Sequence, residues 1–274
     1  YRPDNAILIL AGDITPVQAR QLAQTSFGDW QKPATPLAAK PAGMATSHVP
    51  AILLIDQHGA GQAGVVVAHA APPRNDANYY VGIVANAVLG GSYSARLNEE
   101  IRIKRGLSYG ASSRLQSLGN AGMWLAAAQT KNPSAPQVVE LVLGEFKRLG
   151  SARVSADELA ARKATLIGSY GNSLETTAGL AEQVGNLAVY GVKLEQIGKY
   201  IAQVQAVTPK QIEKYAAKHL DADGNKVVVV GDAAQFAPAI RKAHPQAELL
   251  QSTALDLDSP SMQPAAVAAK AGAR

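Results

Sequence analysis

The run from Leu89 to Ser113, Leu-Gly-Gly-Ser-Tyr-Ser-Ala-Arg-Leu-Asn-Glu-Glu-Ile-Arg-Ile-Lys-Arg-Gly-Leu-Ser-Tyr-Gly-Ala-Ser-Ser, constrains the fold of this chain more than any other stretch. It reads as a turn, a helix and a strand in immediate succession. Gly90-Gly91 breaks whatever precedes, and Ser94 is placed to offer its hydroxyl to the first free amides of a helix. Leu97, Ile101 and Leu107 fall on one apolar side, while Arg96, Glu99, Glu100, Arg102, Lys104 and Arg105 supply charge. Gly106 stands where a left-handed residue ends a helix, after a basic last turn that suits the helix dipole. From Ser108 onward small and polar residues alternate, as in a strand with Tyr109 near its start. Any fold for this chain must therefore seat a charged helix end directly against a strand.

A chain of 274 residues holds one large domain, or one domain plus pieces. Its 47% hydrophobic and 17% charged content is that of a globular protein, and no apolar run approaches the roughly 20 residues that cross a bilayer. The net charge of +5 is scattered, with no basic run interleaved with aromatics, so nucleic acid is not an expected partner. The absence of cysteine excludes disulfides and thiolate metal sites.

The order of elements points to two related units. Ala6 to Ala11 reads as a buried-type strand, followed by Gly12-Asp13, the capping pair Thr15-Pro16, and a helix carrying Val17, Leu22 and Phe27 inward to Gly28. Near the other end, Val227 to Val230 leads into Gly231-Asp232 and a helix over about 233–243. The echo of strand, Gly-Asp and helix implies a duplicated architecture. Residues 1–30 are then expected to be the terminal strand and helix of a truncated first αβ unit. Residues 31–50, rich in Pro, Ala and Lys, read as a linker. Residues 51–245 read as a second αβ unit, and residues 246–274, which lose periodicity, as a flexible tail.

Within the second unit, strands are expected at 51–56 and 64–71, a helix from Asp76 to about Leu89, and a hairpin of 110–118 with 121–129 turning at Gly119-Asn120. Helices follow from Pro136, from the capping-box signal Ser155-Ala-Asp-Glu158, across Thr176 to Tyr190 and Leu194 to Val204, and from Thr208-Pro209. Strands at both ends, a central hairpin and helices in runs predict an α+β fold, a mixed and mostly antiparallel sheet covered by helices.

No complete active site is visible. His48, His58, His69, His219 and His244 are isolated, none with a second histidine three or four residues away, as two ligands on one helix face require. There is no Gly-x-Ser-x-Gly elbow, and Gly90-Gly91-Ser92 lacks the lysine and spacing of a phosphate loop.

The run from Leu89 to Ser113 resembles the segment Ser-Arg-Leu-x-x-Glu-Ile-Arg-x-Lys-Arg-Gly-Leu-Ser-Tyr of the pitrilysin family of inverted-motif zinc peptidases, which includes insulin-degrading enzyme and the mitochondrial processing peptidases. Other segments resemble that family in order: Gly12-Asp13 and Phe27 to Trp30 look like the end of its first domain, Gln62 with Val65 to Ala71 like the start of its second, and Leu159 to Tyr190 like its long helical pair. The resemblance implies duplicated αβ units facing each other like a clam shell across a cavity, with zinc held on the first by His-x-x-Glu-His. That motif is not in this chain, so no metal ligand is assigned here, and zinc would belong to the complete enzyme or to a partner. The opposing unit of the family supplies an arginine and a tyrosine seven residues apart, which match Arg102 and Tyr109. By resemblance Tyr109 would stabilise the oxyanion of the scissile carbonyl, and Arg102 would hold the substrate backbone. Read without the resemblance, a tyrosine on a strand packs and an arginine in a last helical turn is solvated.

The expectation is thus a C-terminal, zinc-free half of a metalloendopeptidase, inactive alone and closing a proteolytic cavity. Its expected partners are a peptide or unfolded polypeptide substrate and a zinc-bearing N-terminal half or homologous subunit. The alternative is a metal-free partner subunit or a non-catalytic structural protein, as the core subunits of the respiratory bc1 complex are. Bacterial members of this form point to the periplasm or a membrane-associated location.

Overall fold

The computed structural model describes residues 1–38 and 50–259. After helix α1 (Pro16–Phe27) come β1 (Ile52–Asp56), β2 (Ala63–Ala71), α2 (Tyr79–Leu89), and the short α3 (Arg96–Asn98), which runs on as a π-helical turn over Glu99–Ile103. The hairpin β3 (Ser108–Ser117) and β4 (Gly122–Thr130) leads to α4 (Ala135–Ser151), α5 (Ala156–Ser173), α6 (Thr177–Val189), α7 (Gln196–Ala206) and α8 (Pro209–His219). The chain then returns to the sheet with β5 (Lys226–Gly231), α9 (Ala237–Ala243) and β6 (Glu248–Gln251).

The six strands form one mixed sheet in the order β3-β4-β2-β5-β1-β6. Pairs β3/β4, β4/β2 and β2/β5 are antiparallel, and β5/β1 and β1/β6 are parallel. This is the expected α+β architecture. Register divides the sheet into two unlike faces. The row Ala111–Ala128–Val65–Val229–Leu54 crosses five strands, and every side chain in it is buried. It packs under α2, α4 and α8, whose Val84, Val88, Val138, Val142, Phe146 and Ile212 complete the core. Fully burying a valine or leucine contributes about 1.5–3 kcal/mol, so this face holds the fold. The neighbouring row, Ser112–Ala127–Val66–Val228–Leu53, points the other way and is exposed or half-buried throughout. An antiparallel sheet tolerates one such wet face.

Four expectations require correction. Residues 6–11 form no paired strand, and Ile7, Leu8 and Leu10 are exposed, as are Val17, Leu22 and Phe27 of α1. Among the described residues no strand lies alongside this segment to supply a ladder; Ile7, Leu8 and Leu10 stay exposed, and Ile9 is half-buried close to Gly185 of α6. The tail does not lose structure at 246: Leu249 and Leu250 lie in β6, which pairs in parallel with β1 at the sheet's edge. Four residues are too few to show a period, and pairing rather than local pattern makes them a strand. Residues 260–274 lie outside the described residues, and so do residues 39–49 of the expected linker; residues 31–38 form no helix or strand. Finally, Ser94 caps nothing. Ala95 is the N-cap of α3 and makes no side-chain cap hydrogen bond, and the Ser94 hydroxyl instead receives Arg162 of α5. At Ser155 the cap forms, but Glu158 does not return the bond, because Arg96 takes its carboxylate.

Candidate functional site

The Leu89–Ser113 joint sits where α2, α3 and β3 meet. Gly90 ends α2 so close to β3 that a Cβ there would lie 2.3 Å from the Ser113 amide nitrogen. That approach is fixed by Ser113 N–H donating to the Gly90 carbonyl at 3.0 Å and Ser113 Oγ donating to Asn86 Oδ1 at 2.8 Å. The following loop is held from the other side. Arg162 donates to the Ser92 hydroxyl at 3.2 Å, to the Ser94 hydroxyl at 2.7 Å, and to the Ser94 carbonyl.

The helix that follows is anchored by its inward side. Leu97 and Ile101 are fully buried, and the buried Arg96 forks onto Glu158 with two bonds of 2.8 Å. The sequence counts Arg96 only among the residues that supply charge; in the fold it is drawn inside by this bidentate pair through Nε and Nη2, while its buried Nη1 has no hydrogen-bond partner among the described residues. The π-helical turn closes with Lys104 N–H donating to the Glu99 carbonyl, 2.9 Å. Such turns shift side chains off the regular helical stripe. Gly106 then takes φ +62°, and Leu107 N–H reaches back to the Ile101 carbonyl at 2.9 Å, so the left-handed stop is as expected.

Strand β3 begins with an irregularity. Ser108 pairs with Thr130 and Ala111 with Ala128, and between them Tyr109 and Gly110 are bulged out of register. The bulge is stitched by Ser108 Oγ donating to the Gly110 carbonyl (2.7 Å) and by Ala111 N–H donating to Asn98 Oδ1 (3.2 Å). The same buried Asn98 donates through Nδ2 to the Tyr93 carbonyl at 2.5 Å. One amide therefore ties the loop at 93 to the bulge at 109. A bulge re-aims a side chain, and Tyr109 is 90% exposed.

Arg102 and Tyr109 come together: the guanidinium carbon is 4.8 Å from the centroid of the Tyr109 ring. It is equally 4.8 Å from the ring of Tyr93, which is 64% exposed. Each such contact at an exposed site contributes about 0.5–1 kcal/mol. No carboxylate pairs with Arg102 among the described residues. Its neighbours are engaged, since Lys104 Nζ lies 2.6 Å and Arg105 Nη1 2.5 Å from the carboxylate oxygens of Glu100. Glu100 is held below the usual carboxylate range, first by the hydrogen bond from Lys104 and further by that from Arg105. Glu100 thus takes up Arg105, the other arginine near Tyr109, and leaves Arg102 free.

These residues line the mouth of an open cleft of about 730 Å³ on the uncovered sheet face, floored by Gly64, Val66, Ala127 and Gln129. Sequence reasoning located Arg102 and Tyr109 but missed Tyr93 and Asn98. An aromatic between two serines in a Gly/Ser turn, and an amide one helical turn before Arg102, were the available signals.

The zinc that the resemblance implies finds no ligand set here. Among the described residues no group of three or more His, Asp and Glu is arranged to hold a metal. His69 Nδ1 faces the Ala70 carbonyl at 2.7 Å, His244 pairs with the single Glu140 at 2.6 Å, and His219 lies against the Tyr215 ring; His48 is outside the described residues. These donors do not fit a zinc centre.

Comparison with known proteins identifies the family and the fold. The sequence profile of the family described as "Peptidase M16 inactive domain" matches residues 1–166. An uncharacterized zinc protease of Streptomyces coelicolor is 24% identical over 219 residues, covering 79% of this chain and 48% of the relative. The chain thus spans about half the length of that curated relative. A crystal structure of a peptidase M16 inactive domain from Pseudomonas fluorescens superposes with a TM-score of 0.69 at 27% identity, covering 80% of this chain and 52% of that one. A protease from Helicobacter pylori shares the fold at a TM-score of 0.75 and 17% identity, over 84% of this chain and 56% of that one. The pitrilysin-like resemblance and the profile match converge: this chain belongs to the peptidase M16 inactive-domain family.

Proposed function

We propose that the chain is the zinc-free, substrate-facing half of an M16 peptidase, its open sheet face closing a proteolytic cavity against a unit that carries the zinc. In this reading Tyr109 donates its phenolic proton toward the oxyanion that develops on the scissile carbonyl, and Arg102 holds a backbone carbonyl of the same peptide. A phenol and a guanidinium are donors suited to both tasks. The observation that carries the reading is the pairing of Arg102 with Tyr109 at 4.8 Å at the mouth of the open cleft, the guanidinium without a carboxylate partner and the phenol almost fully exposed. The partners are a peptide or unfolded polypeptide and the zinc-bearing unit, whether on the same polypeptide or on a homologous subunit.

The test is kinetic, on the chain assembled with its zinc-bearing unit. Tyr109→Phe keeps the ring and removes the donor. The expected result is a kcat lower by about 10²–10³-fold, the effect of deleting one oxyanion donor, with KM little changed. Arg102→Ala is expected to raise KM. Peptide hydrolysis unchanged in Tyr109→Phe would reject the catalytic assignment and favour a non-catalytic interaction protein built on the same fold.

A further inference from the structure

We propose that Arg102, set against Tyr93 and Tyr109, makes the open cleft selective for a carboxylate on the bound peptide, either an acidic side chain or a free C-terminus. The inference rests on the reading of this cleft as the peptide-facing surface and adds a substrate class to it, a carboxylate taking the place of the backbone carbonyl at Arg102 in the preferred peptides. Three observations carry it. Among the described residues lining the cleft Arg102 is the one charged side chain; the others are glycines, alanines, serines, valines, two tyrosines, Asn98 and Gln129. Its guanidinium has no carboxylate among the described residues, while Lys104 and Arg105, two and three residues on, are both spent on Glu100. Its partners are two aromatic rings, each 4.8 Å from the guanidinium carbon. Ring faces satisfy part of the positive charge but accept no in-plane hydrogen bonds, so the N–H fork remains unspent. A planar fork that is oriented, charged and unpaired is matched by a carboxylate, which takes two parallel bonds from it, better than by a neutral carbonyl, which takes one. The loop that presents Tyr93 is held by Asn98 and Arg162, so the arrangement exists before a ligand arrives.

The experiment uses the full chain and four N-terminally blocked peptides of one extended sequence rich in small residues. Two carry Glu or Gln at the centre with both termini blocked, and two are neutral with the C-terminus free or amidated. Binding is followed by 1H–15N NMR, which reads millimolar affinities. The expected result is at least about tenfold tighter binding of the Glu peptide than the Gln peptide, of the free over the amidated terminus, or of both. The arm that shows the gap identifies the source of the carboxylate. Arg102→Gln should erase the gap, and Arg105→Gln, the same change of charge nearby, should leave it. Equal affinity across both pairs, lost in Arg102→Gln, would overturn the carboxylate preference and leave the peptide-facing cleft standing. A preference that Arg105→Gln reduces as much as Arg102→Gln would overturn it as unspecific attraction. No binding of any peptide would overturn both readings.

Discussion

The two faces of one sheet divide the work of this molecule. On the covered face the row from Ala111 to Leu54 is buried without a break beneath α2, α4 and α8, and its side chains are apolar. One residue along each strand, the row from Ser112 to Leu53 is exposed or half-buried, and its Ser112, Ala127 and Val66 help to floor a cleft whose rim holds Arg102, Tyr109 and Tyr93. Because strand side chains alternate, the two rows are interleaved on the same backbone, and a change at one position need not disturb the next. The covered face holds the fold, and the open face is the one we propose meets the peptide.

Perturbations should respect that division. The largest stability effect is expected from Phe146→Ala, since its ring is fully buried in α4; a loss of about 3–5 kcal/mol is expected in urea unfolding. A smaller but more informative loss should follow Asn98→Ala. That change leaves the Ala111 N–H and the Tyr93 carbonyl without their partner, at about 1–3 kcal/mol. It should also release the bulge, seen as sharper and more mobile NMR signals from Tyr109 and Tyr93. On the open face, Ala127→Ser should change stability by less than about 0.5 kcal/mol. A large loss there would break the comparison.

The charged helix end sharpens it through pH. The Glu100 carboxylate is lowered first by its hydrogen bond from Lys104, so it binds a proton less readily folded than unfolded. Its contribution is then fully present above the unfolded carboxylate pKa of about 4.3 and is lost as pH falls through the lower folded value. Unfolding midpoints measured from pH 7 to 3 should converge between wild type and Glu100→Gln at the acid end. In the variant Arg105 is also released beside Arg102.

Much of this was written in local sequence. The hairpin turns where Gly119-Asn120 predicts, with Leu118 N–H donating to the Ala121 carbonyl, and the stop at Gly106 and the cap of α8 at Thr208 follow from residue chemistry alone. Arg102 and Tyr109 were found through the resemblance of their motif rather than through local physics. What stayed hidden was set by distant partners. Arg96 is buried only because Glu158 lies 62 positions away on α5, and Ser94 loses its capping role to Arg162 on that same helix. Residues 248–251 become a strand only because β1 offers an edge, while the apolar run at 6–11 is offered no edge among the described residues. Asn98 escaped notice because a single amide on a charged helix shows its role only when both of its partners are in view.

The central claim, that the open face meets the peptide, can be measured directly because the chain has no cysteine of its own. Ala127→Cys places one thiol on the cleft floor, and its rate of reaction with a maleimide reports whether that floor is covered. The account predicts rapid labelling of the free chain and a several-fold slower rate in the presence of a bound peptide. A labelling rate unchanged at peptide concentrations that inhibit the assembled peptidase would contradict it.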